Sequence, residues 1–174
     1  MDCHRICDKY GFIAPVCEQP QYNMLYRDVF EVQYAPLYDH FGMGTTIWSP
    51  LAGGILSGKY NDGTAPAESR YATTTMDFLQ KKVQDLFGEE NHAKTTAMLQ
   101  GLGTLAGELD ATQAQLCLAW AIKNKDVSTA MFGASRVSQV DDNLKAVEVM
   151  DRLTPEVLER IEGLLNNKPD TAFN

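Results

Sequence analysis

The chain has 174 residues, a hydrophobic content of 44% and a formal net charge of −8. This length supports one sizeable core and is short for two ordinary domains, so residues 1–174 predict a single domain. The chain has no basic cluster suited to nucleic acid, no apolar run near the roughly 20 residues that span a bilayer, and no apolar secretion signal. We therefore expect a cytoplasmic protein that does not span the membrane.

A short helix is predicted at the start of the chain, because Ile6 and Tyr10 lie at helical spacing before a glycine. Cys3, His4 and Cys7 have no second ligand pair at a spacing suited to zinc, so we interpret them as one face of this helix. We predict no metal site, and we expect the cysteines to be reduced thiols.

Two strands and a helix are predicted next. Residues 12–17, FIAPVC, predict a short buried strand, although Pro15 favours a strand end or irregular pairing. Residues 31–41 predict a helix that Pro36 opens, because proline is tolerated in a first turn. Residues 45–48, TTIW, predict the second strand.

The second half predicts a loop, several helices and one more strand. Residues 61–75 are rich in Gly, Pro, Ser and Thr without periodicity, which predicts a long loop of the kind that serves as a lid. Thr112 with Gln115 forms a capping box that opens a buried helix, residues 128–135 predict the third strand, and Thr154 caps a closing helix. Apolar residues at helical spacing predict two further helices: Leu79, Val83, Leu86 and Phe87, then Met98, Leu102, Leu105 and Leu109.

This alternation of strands and helices predicts an α/β fold with parallel strands joined by right-handed crossovers. A parallel sheet of three strands needs cover on both faces and would leave two unpaired edges. We therefore expect that part of the sheet lies upstream of this sequence.

Two strand-to-helix turns are candidates for binding an anion. In WSPLAGG a serine and a glycine pair follow the second strand, and Lys59 adds charge nearby, although such residues also mark ordinary surface turns. In GASRVSQVDDN, Ser135 is placed as an N-cap and Arg136 offers donors to a phosphate, although an ordinary capped helix with a solvated arginine is the alternative. Because both turns follow strand ends, together they favour a phosphate-bearing ligand.

Two further side chains follow the first two strands. Gln19 can offer a donor and an acceptor to an amide-containing ligand. Trp48 can supply a flat apolar surface, or it packs in the core as most tryptophans do.

The motifs GFIAPVCEQPQYNML, WSPLAGGILSGKY and FGASRVSQVDDNLKAV resemble the last three strand-and-loop units of the aldo-keto reductase (β/α)₈ TIM barrel, and most of all its voltage-gated potassium channel β-subunit branch. The resemblance implies a partial barrel of three strand-helix units plus C-terminal helices, and it implies bound NADPH. It places Gln19 at the nicotinamide carboxamide and Trp48 beside the nicotinamide ring. It places these residues at the pyrophosphate: Ser49, Pro50, Leu51, Ala52, Gly54, Lys59 and Arg70. It places these at the adenosine and its 2′-phosphate: Gly133, Ser135, Arg136, Gln139, Asp142 and Asn143.

The sequence departs from mammalian β-subunits at three of these turn positions. Gly53 stands where they usually carry cysteine, Arg136 where they carry asparagine, and Asp142 where glutamate is common. The arginine is expected to strengthen a preference for the 2′-phosphate, because it adds a fixed charge.

The resemblance also implies a missing catalytic half. The aspartate, tyrosine, lysine and histidine that the family uses belong to the first half of the barrel, so no residue here inherits a catalytic role. We expect no carbonyl reduction by this chain alone, and three hypotheses remain open. In the first, the chain is the NADPH-binding part of an aldehyde or ketone reductase. In the second, it belongs to a redox-sensing subunit that docks as a homo-oligomer on a potassium channel α-subunit. In the third, it is a half-barrel that pairs with another copy or with a separate N-terminal half.

Overall fold

The computed structural model describes residues 2–170, and for Phe78 it describes the backbone alone. Three parallel strands form one sheet in the order β1 (Cys17–Glu18), β2 (Gly44–Trp48) and β3 (Thr129–Met131). Cys17 is paired with Gly44, and Trp48 with Met131. The predicted α/β alternation and parallel pairing are confirmed for this part of the chain.

Helices connect the strands, and α6 (Gln113–Lys123) packs against β3. No described helix has the length and apolar character needed to cross a bilayer. Before β3 the helices are α1 (Asp2–Tyr10), α2 (Ala35–Phe41), α3 (Arg70–Thr73), α4 (Asp77–Phe87), α5 (His92–Glu108) and α6 (Gln113–Lys123). After β3 they are α7 (Val137–Leu144), α8 (Ala146–Val149) and α9 (Pro155–Leu165). Short helical turns of other types lie at Val29–Gln33, Ala52–Ser57 and Met150–Arg152.

The central helix of the core is α6, which packs against α5 and α8. Its residues from Gln113 to Ala121 are all buried, as its apolar sequence predicts. The predicted capping box is present: the Thr112 side chain accepts from the Gln115 backbone N–H, and the Gln115 side chain accepts from the Thr112 N–H. The predicted cap of α9 is confirmed too, since the Thr154 side chain accepts from Val157 N–H.

A buried charged group joins the loop after β1 to α9. Arg27 bonds the carboxylates of Glu31 and Glu162, and it lies over the ring of Trp120. Tyr22 donates to Glu31, and burial together with that carboxylate raises the pKa of the Tyr22 phenol, so it stays a donor. This network fixes the position of the segment that follows β1.

The first predicted strand is wrong in extent and burial. Only Cys17–Glu18 is a strand, although the Val16 carbonyl already accepts from Gly44 N–H. Ile13 is 95% exposed and Val16 75% exposed, because no described element packs on that side of β1. Pro15 has no N–H to donate to a ladder, so regular pairing cannot extend through it.

Three other predicted boundaries also change. The segment 31–41 divides into the turn Val29–Gln33 and α2, which Pro36 does open. The loop 61–75 contains the short helix α3, because the Ser69 side chain caps it by accepting from Ala72 N–H. The third strand is shorter than the predicted 128–135. Local helix caps therefore override compositional loop signals.

Candidate functional site

One cavity of about 790 Å³ opens where β2 and β3 end. Such a volume suits a small-molecule or cofactor site. Most of the residues predicted to bind cofactor line it: Trp48, Ser49, Pro50, Leu51, Gly54, Lys59, Arg70, Gly133, Ser135, Gln139, Asp142 and Asn143. The structure thus brings the two candidate anion turns to one cleft.

The turn after β2 has an unusual backbone. Ser49 and Ala52, two residues with side chains, lie in the left-handed region at φ 57° and 51°, and Gly53 and Gly54 follow at φ 69° and 102°. A non-glycine residue there costs about 1–2 kcal/mol, so this conformation persists only where its surroundings hold it. Strain of this kind concentrates at binding sites.

Cations lie on the cavity wall beside this turn. Lys59 reaches so close to Gly54 that a Cβ at that glycine would lie 3.1 Å from the lysine Nζ. Arg70, at the start of α3, also lines the cavity. The turn therefore combines close backbone approach with positive charge, as an anion-binding turn requires.

A hydrogen bond from Tyr71 joins α3, the helix that carries Arg70, to the turn after β2. Its phenol donates to the carbonyl of Ala52 at 2.9 Å, and its ring packs at right angles to Tyr60. Burial raises the pKa of Tyr71, so the phenol keeps its proton at neutral pH. A Cβ at Gly53 would lie 2.5 Å from the Tyr71 oxygen, so only glycine fits beneath this ring.

The turn after β3 differs in detail from its prediction. Ser135 is not the N-cap of α7, because the helix begins one residue later and Arg136 holds the cap position. The backbone N–H and the hydroxyl of Ser135 both donate to the Gln139 side chain, at 2.8 and 3.1 Å. Ser135 thus presents its donors in one direction, and a single acceptor satisfies both.

Asp142 lines the cavity and also bonds the residues that cap α6. Its carboxylate accepts from the Gln115 side chain at 2.8 Å and from the Thr112 hydroxyl at 3.3 Å. The capping box that opens α6 is thereby bonded to α7. The neighbouring Asn143 is buried and also lines the cavity.

Three predicted residues lie outside the cavity lining. Gln19 is next to it, with its side-chain nitrogen 3.5 Å from the sulfur of Met131. Ala52 is a buried residue of the turn itself, and its carbonyl accepts from the Tyr71 phenol. Arg136 is exposed at the rim, adjacent in sequence to Ser135.

Trp48 is 44% exposed and lines the cavity, so its alternative interpretation as a core residue is wrong. Gly53, one of the glycine pair in the candidate turn, also lines the cavity. The sequence assigned no role to five further lining residues: Ser57, Ala114, Met131, Phe132 and Ala134. Ser57 had a signal, because it lies three residues after Gly54 in the same turn motif, and in the structure its hydroxyl donates to the Gly54 carbonyl. Ala114 had none, since it reaches the cavity only through the packing of α6.

Comparison with known proteins identifies the family. The sequence profile of the Aldo/keto reductase family matches residues 2–166. The chain belongs to the aldo/keto reductase family. Three relatives within this family bear the name of a voltage-gated potassium channel subunit beta, and they come from Schizosaccharomyces pombe, Arabidopsis thaliana and Oryza sativa subsp. japonica.

These aldo/keto reductase relatives match nearly all of this chain. The fission yeast protein is 46% identical over 166 residues, the Arabidopsis protein 42% over 164 and the rice protein 37% over 164. The matches cover 95%, 93% and 94% of this chain but 46%, 47% and 48% of the respective relatives. The chain therefore spans about half the length of these relatives.

Proposed function

We propose that this chain is the NADP(H)-binding part of an aldo/keto reductase-type oxidoreductase that acts on aldehydes or ketones. One observation carries the proposal: Trp48, the strained Ser49 turn and the Ser135 turn line a single cavity where parallel strands end. Ligands of parallel α/β folds bind at that edge, where loops and helix starts converge.

The pyrophosphate of the cofactor lies in the turn after β2. Lys59 and Arg70 supply positive charge there, and the glycines allow the backbone to approach the phosphates closely. A pyrophosphate requires positive charge and a backbone without side chains in the way. Lys59, Arg70 and the glycines of this turn supply both, so these residues fit a pyrophosphate.

The adenosine end lies at the turn after β3. Ser135 supplies a backbone N–H and a hydroxyl that converge on the side-chain oxygen of Gln139, and a phosphate oxygen takes the place of that acceptor. Arg136 at the rim supplies a guanidinium for the 2′-phosphate. Gly133 has no neighbouring atom within 4 Å of its Cβ position and leaves room for the ribose.

The nicotinamide lies against Trp48, with Gln19 and Met131 beside it. Trp48 offers an exposed indole face, and Gln19 approaches the same wall through its contact with Met131. When bound, the cofactor supplies the hydride that reduces a carbonyl. These residues orient the ring, and the family resemblance assigns the proton donor to the first half of the barrel.

We also propose that the rest of a (β/α)₈ barrel covers the open edges of this sheet. At the β1 edge Phe12, Ile13 and Val16 are exposed, and after β3 Val137 of α7 and Val147 of α8 are 80% and 62% exposed. The relatives are about twice as long as this chain, which is enough for the remaining strands.

Titration with NADPH tests the proposed function, because the chain has two tryptophans with different exposure. We expect saturable quenching of the emission of Trp48, which lines the cavity. The Trp120→Phe variant keeps this quenching, since Trp120 is buried against Arg27. The Trp48→Phe variant loses it. The proposal is wrong if NADPH does not saturate the wild-type chain, or if both variants are quenched equally.

A regulatory subunit of a voltage-gated potassium channel is the second candidate function. The names of the three relatives favour it. In that function the barrel binds NADPH, forms a homo-oligomer in the cytoplasm and docks on a channel α-subunit. Co-purification of the longer form of the protein with a channel supports it, whereas rapid carbonyl turnover without any bound channel favours the plain reductase.

A further inference from the structure

Asn23 links the loop after β1 to the turn after β2. Its side-chain nitrogen donates to the carbonyl of Ser49 at 2.9 Å, and its side-chain oxygen accepts from Leu25 N–H at 2.9 Å. Asn23 is fully buried, and its backbone exchanges two hydrogen bonds with Tyr26, at 3.2 and 3.0 Å. Reversing the amide would set oxygen against oxygen and nitrogen against nitrogen, so these partners fix its orientation.

The direction of the Ser49 carbonyl, which Asn23 bonds, affects whether the turn can accept an anion. Ser49 lies at φ 57°, and its carbonyl also accepts from Ala52 N–H at 2.9 Å. The next residue is Pro50, which has no N–H, so this peptide offers a ligand only its carbonyl. A carbonyl oxygen turned into the cavity would repel the phosphate and compete for Lys59.

Two donors hold that carbonyl: the Ala52 N–H from within the turn and the Asn23 side chain from outside it. The amide of Asn23 is buried and does not line the cavity, so the Ser49 oxygen is bound on the interior side of the turn. The same segment is joined to β2 by backbone bonds from Trp48 N–H to Pro20 and from Tyr22 N–H to Trp48. These backbone bonds position Trp48, whereas the Ser49 carbonyl takes its one bond from outside the turn from a side chain, that of Asn23.

We propose that Asn23 is a positioning residue that keeps the Ser49 turn open to the pyrophosphate and nicotinamide end of NADPH. The inference rests on the proposed function. Asn23 does not touch the cofactor. It acts by holding the Ser49 oxygen away from the phosphates and by stabilising the left-handed backbone at Ser49.

Two substitutions separate this role from a general role in folding. In Asn23→Ser the short hydroxyl can still accept from Leu25 N–H but cannot reach Ser49. In Asn23→Asp the acceptor for Leu25 is kept and the donor to Ser49 becomes a second acceptor. Asn167→Asp is the matched control, because Asn167 donates to the Met24 carbonyl at 2.8 Å and so tethers the same loop without contacting Ser49. Its side-chain oxygen also accepts from Arg27 at 3.3 Å, and aspartate keeps that acceptor.

The two ligands to compare are NADPH and adenosine 2′-phosphate, measured by calorimetry on the whole chain. Adenosine 2′-phosphate has only the end of the cofactor assigned to the Ser135 turn. We expect Asn23→Ser and Asn23→Asp to weaken NADPH binding about fivefold, the effect of one lost hydrogen bond, with adenosine 2′-phosphate binding unchanged. Asn167→Asp leaves both affinities unchanged.

The outcomes that contradict the inference differ from the one that contradicts the proposed function. An equal loss of both ligands in the Asn23 variants means a merely structural role, and unchanged NADPH affinity means no role. A wild-type chain that binds neither ligand overturns the proposed function itself. If neither variant folds, the side-chain amide resonance of Asn23 in the wild-type chain decides: we expect it to shift with NADPH and not with adenosine 2′-phosphate, and an unmoved resonance contradicts the inference.

Discussion

We expect the Arg136→Ala variant to bind NADPH about 10- to 100-fold more weakly than the wild-type chain, the loss expected for a charge-assisted bond to phosphate. NADH has no 2′-phosphate for Arg136 to bind, so its affinity for the variant stays within about twofold of its affinity for the wild-type chain. The guanidinium is exposed at the rim, so the difference between the two chains shrinks as salt is raised. Calorimetric titration of both cofactors at low and high salt measures these effects.

Arg5→Ala is the control for Arg136→Ala. Arg5 is an exposed arginine of α1 whose ion-pair partner is Asp2, and it does not line the cavity. Its removal lowers the positive charge by the same amount and leaves the NADPH affinity unchanged. Equal losses of NADPH and NADH affinity in Arg136→Ala would contradict the assignment of Arg136 to the 2′-phosphate.

We expect the Gly53→Ala variant to lose about 2–4 kcal/mol of unfolding free energy, from the left-handed backbone and from overpacking. Gly53 lies at φ 69°, and a Cβ there would lie 2.5 Å from the oxygen and 2.9 Å from the adjoining ring carbon of Tyr71. Tyr71 is buried and bonded to Ala52, so its ring cannot yield without releasing the segment that carries Arg70. Urea denaturation measures the loss.

Two further variants test the cause of the Gly53→Ala effect. In a Tyr71→Phe background the nearest atom is gone, so we expect Gly53→Ala to cost about 1 kcal/mol less. Gly163→Ala is the control, because Gly163 in α9 has no neighbouring atom within 4 Å of its Cβ position, and alanine there stabilises the helix by about 0.5–1 kcal/mol. An equal cost of Gly53→Ala in both backgrounds would show that Tyr71 does not restrict this turn.

The parts of the fold predicted well from sequence are those with strong local signals. Thr112 and Gln115 stand at the spacing of a capping box, and the structure contains it. The apolar sequence of α6 predicts a buried helix, and it is buried. The two glycine-containing turns stand directly after β2 and β3, and parallel strands place successive turns at one edge.

The parts that sequence did not predict depend on contacts distant along the chain. Tyr71 reaches back 19 residues to the Ala52 carbonyl, and Asn23 reaches forward 26 residues to Ser49. Nothing local in either sequence segment encodes the partner. The apolar character of residues 12–17 predicts their burial, whereas burial requires a second element that packs against them.

A crystal structure of the chain with NADP⁺ tests the central claim most directly. We predict a pyrophosphate within hydrogen-bonding distance of the turn at residues 49–54 and of Lys59, and a 2′-phosphate at Ser135 and Arg136. The nicotinamide ring would lie against Trp48. A cofactor bound elsewhere, or bound with its phosphates away from both turns, would contradict the account.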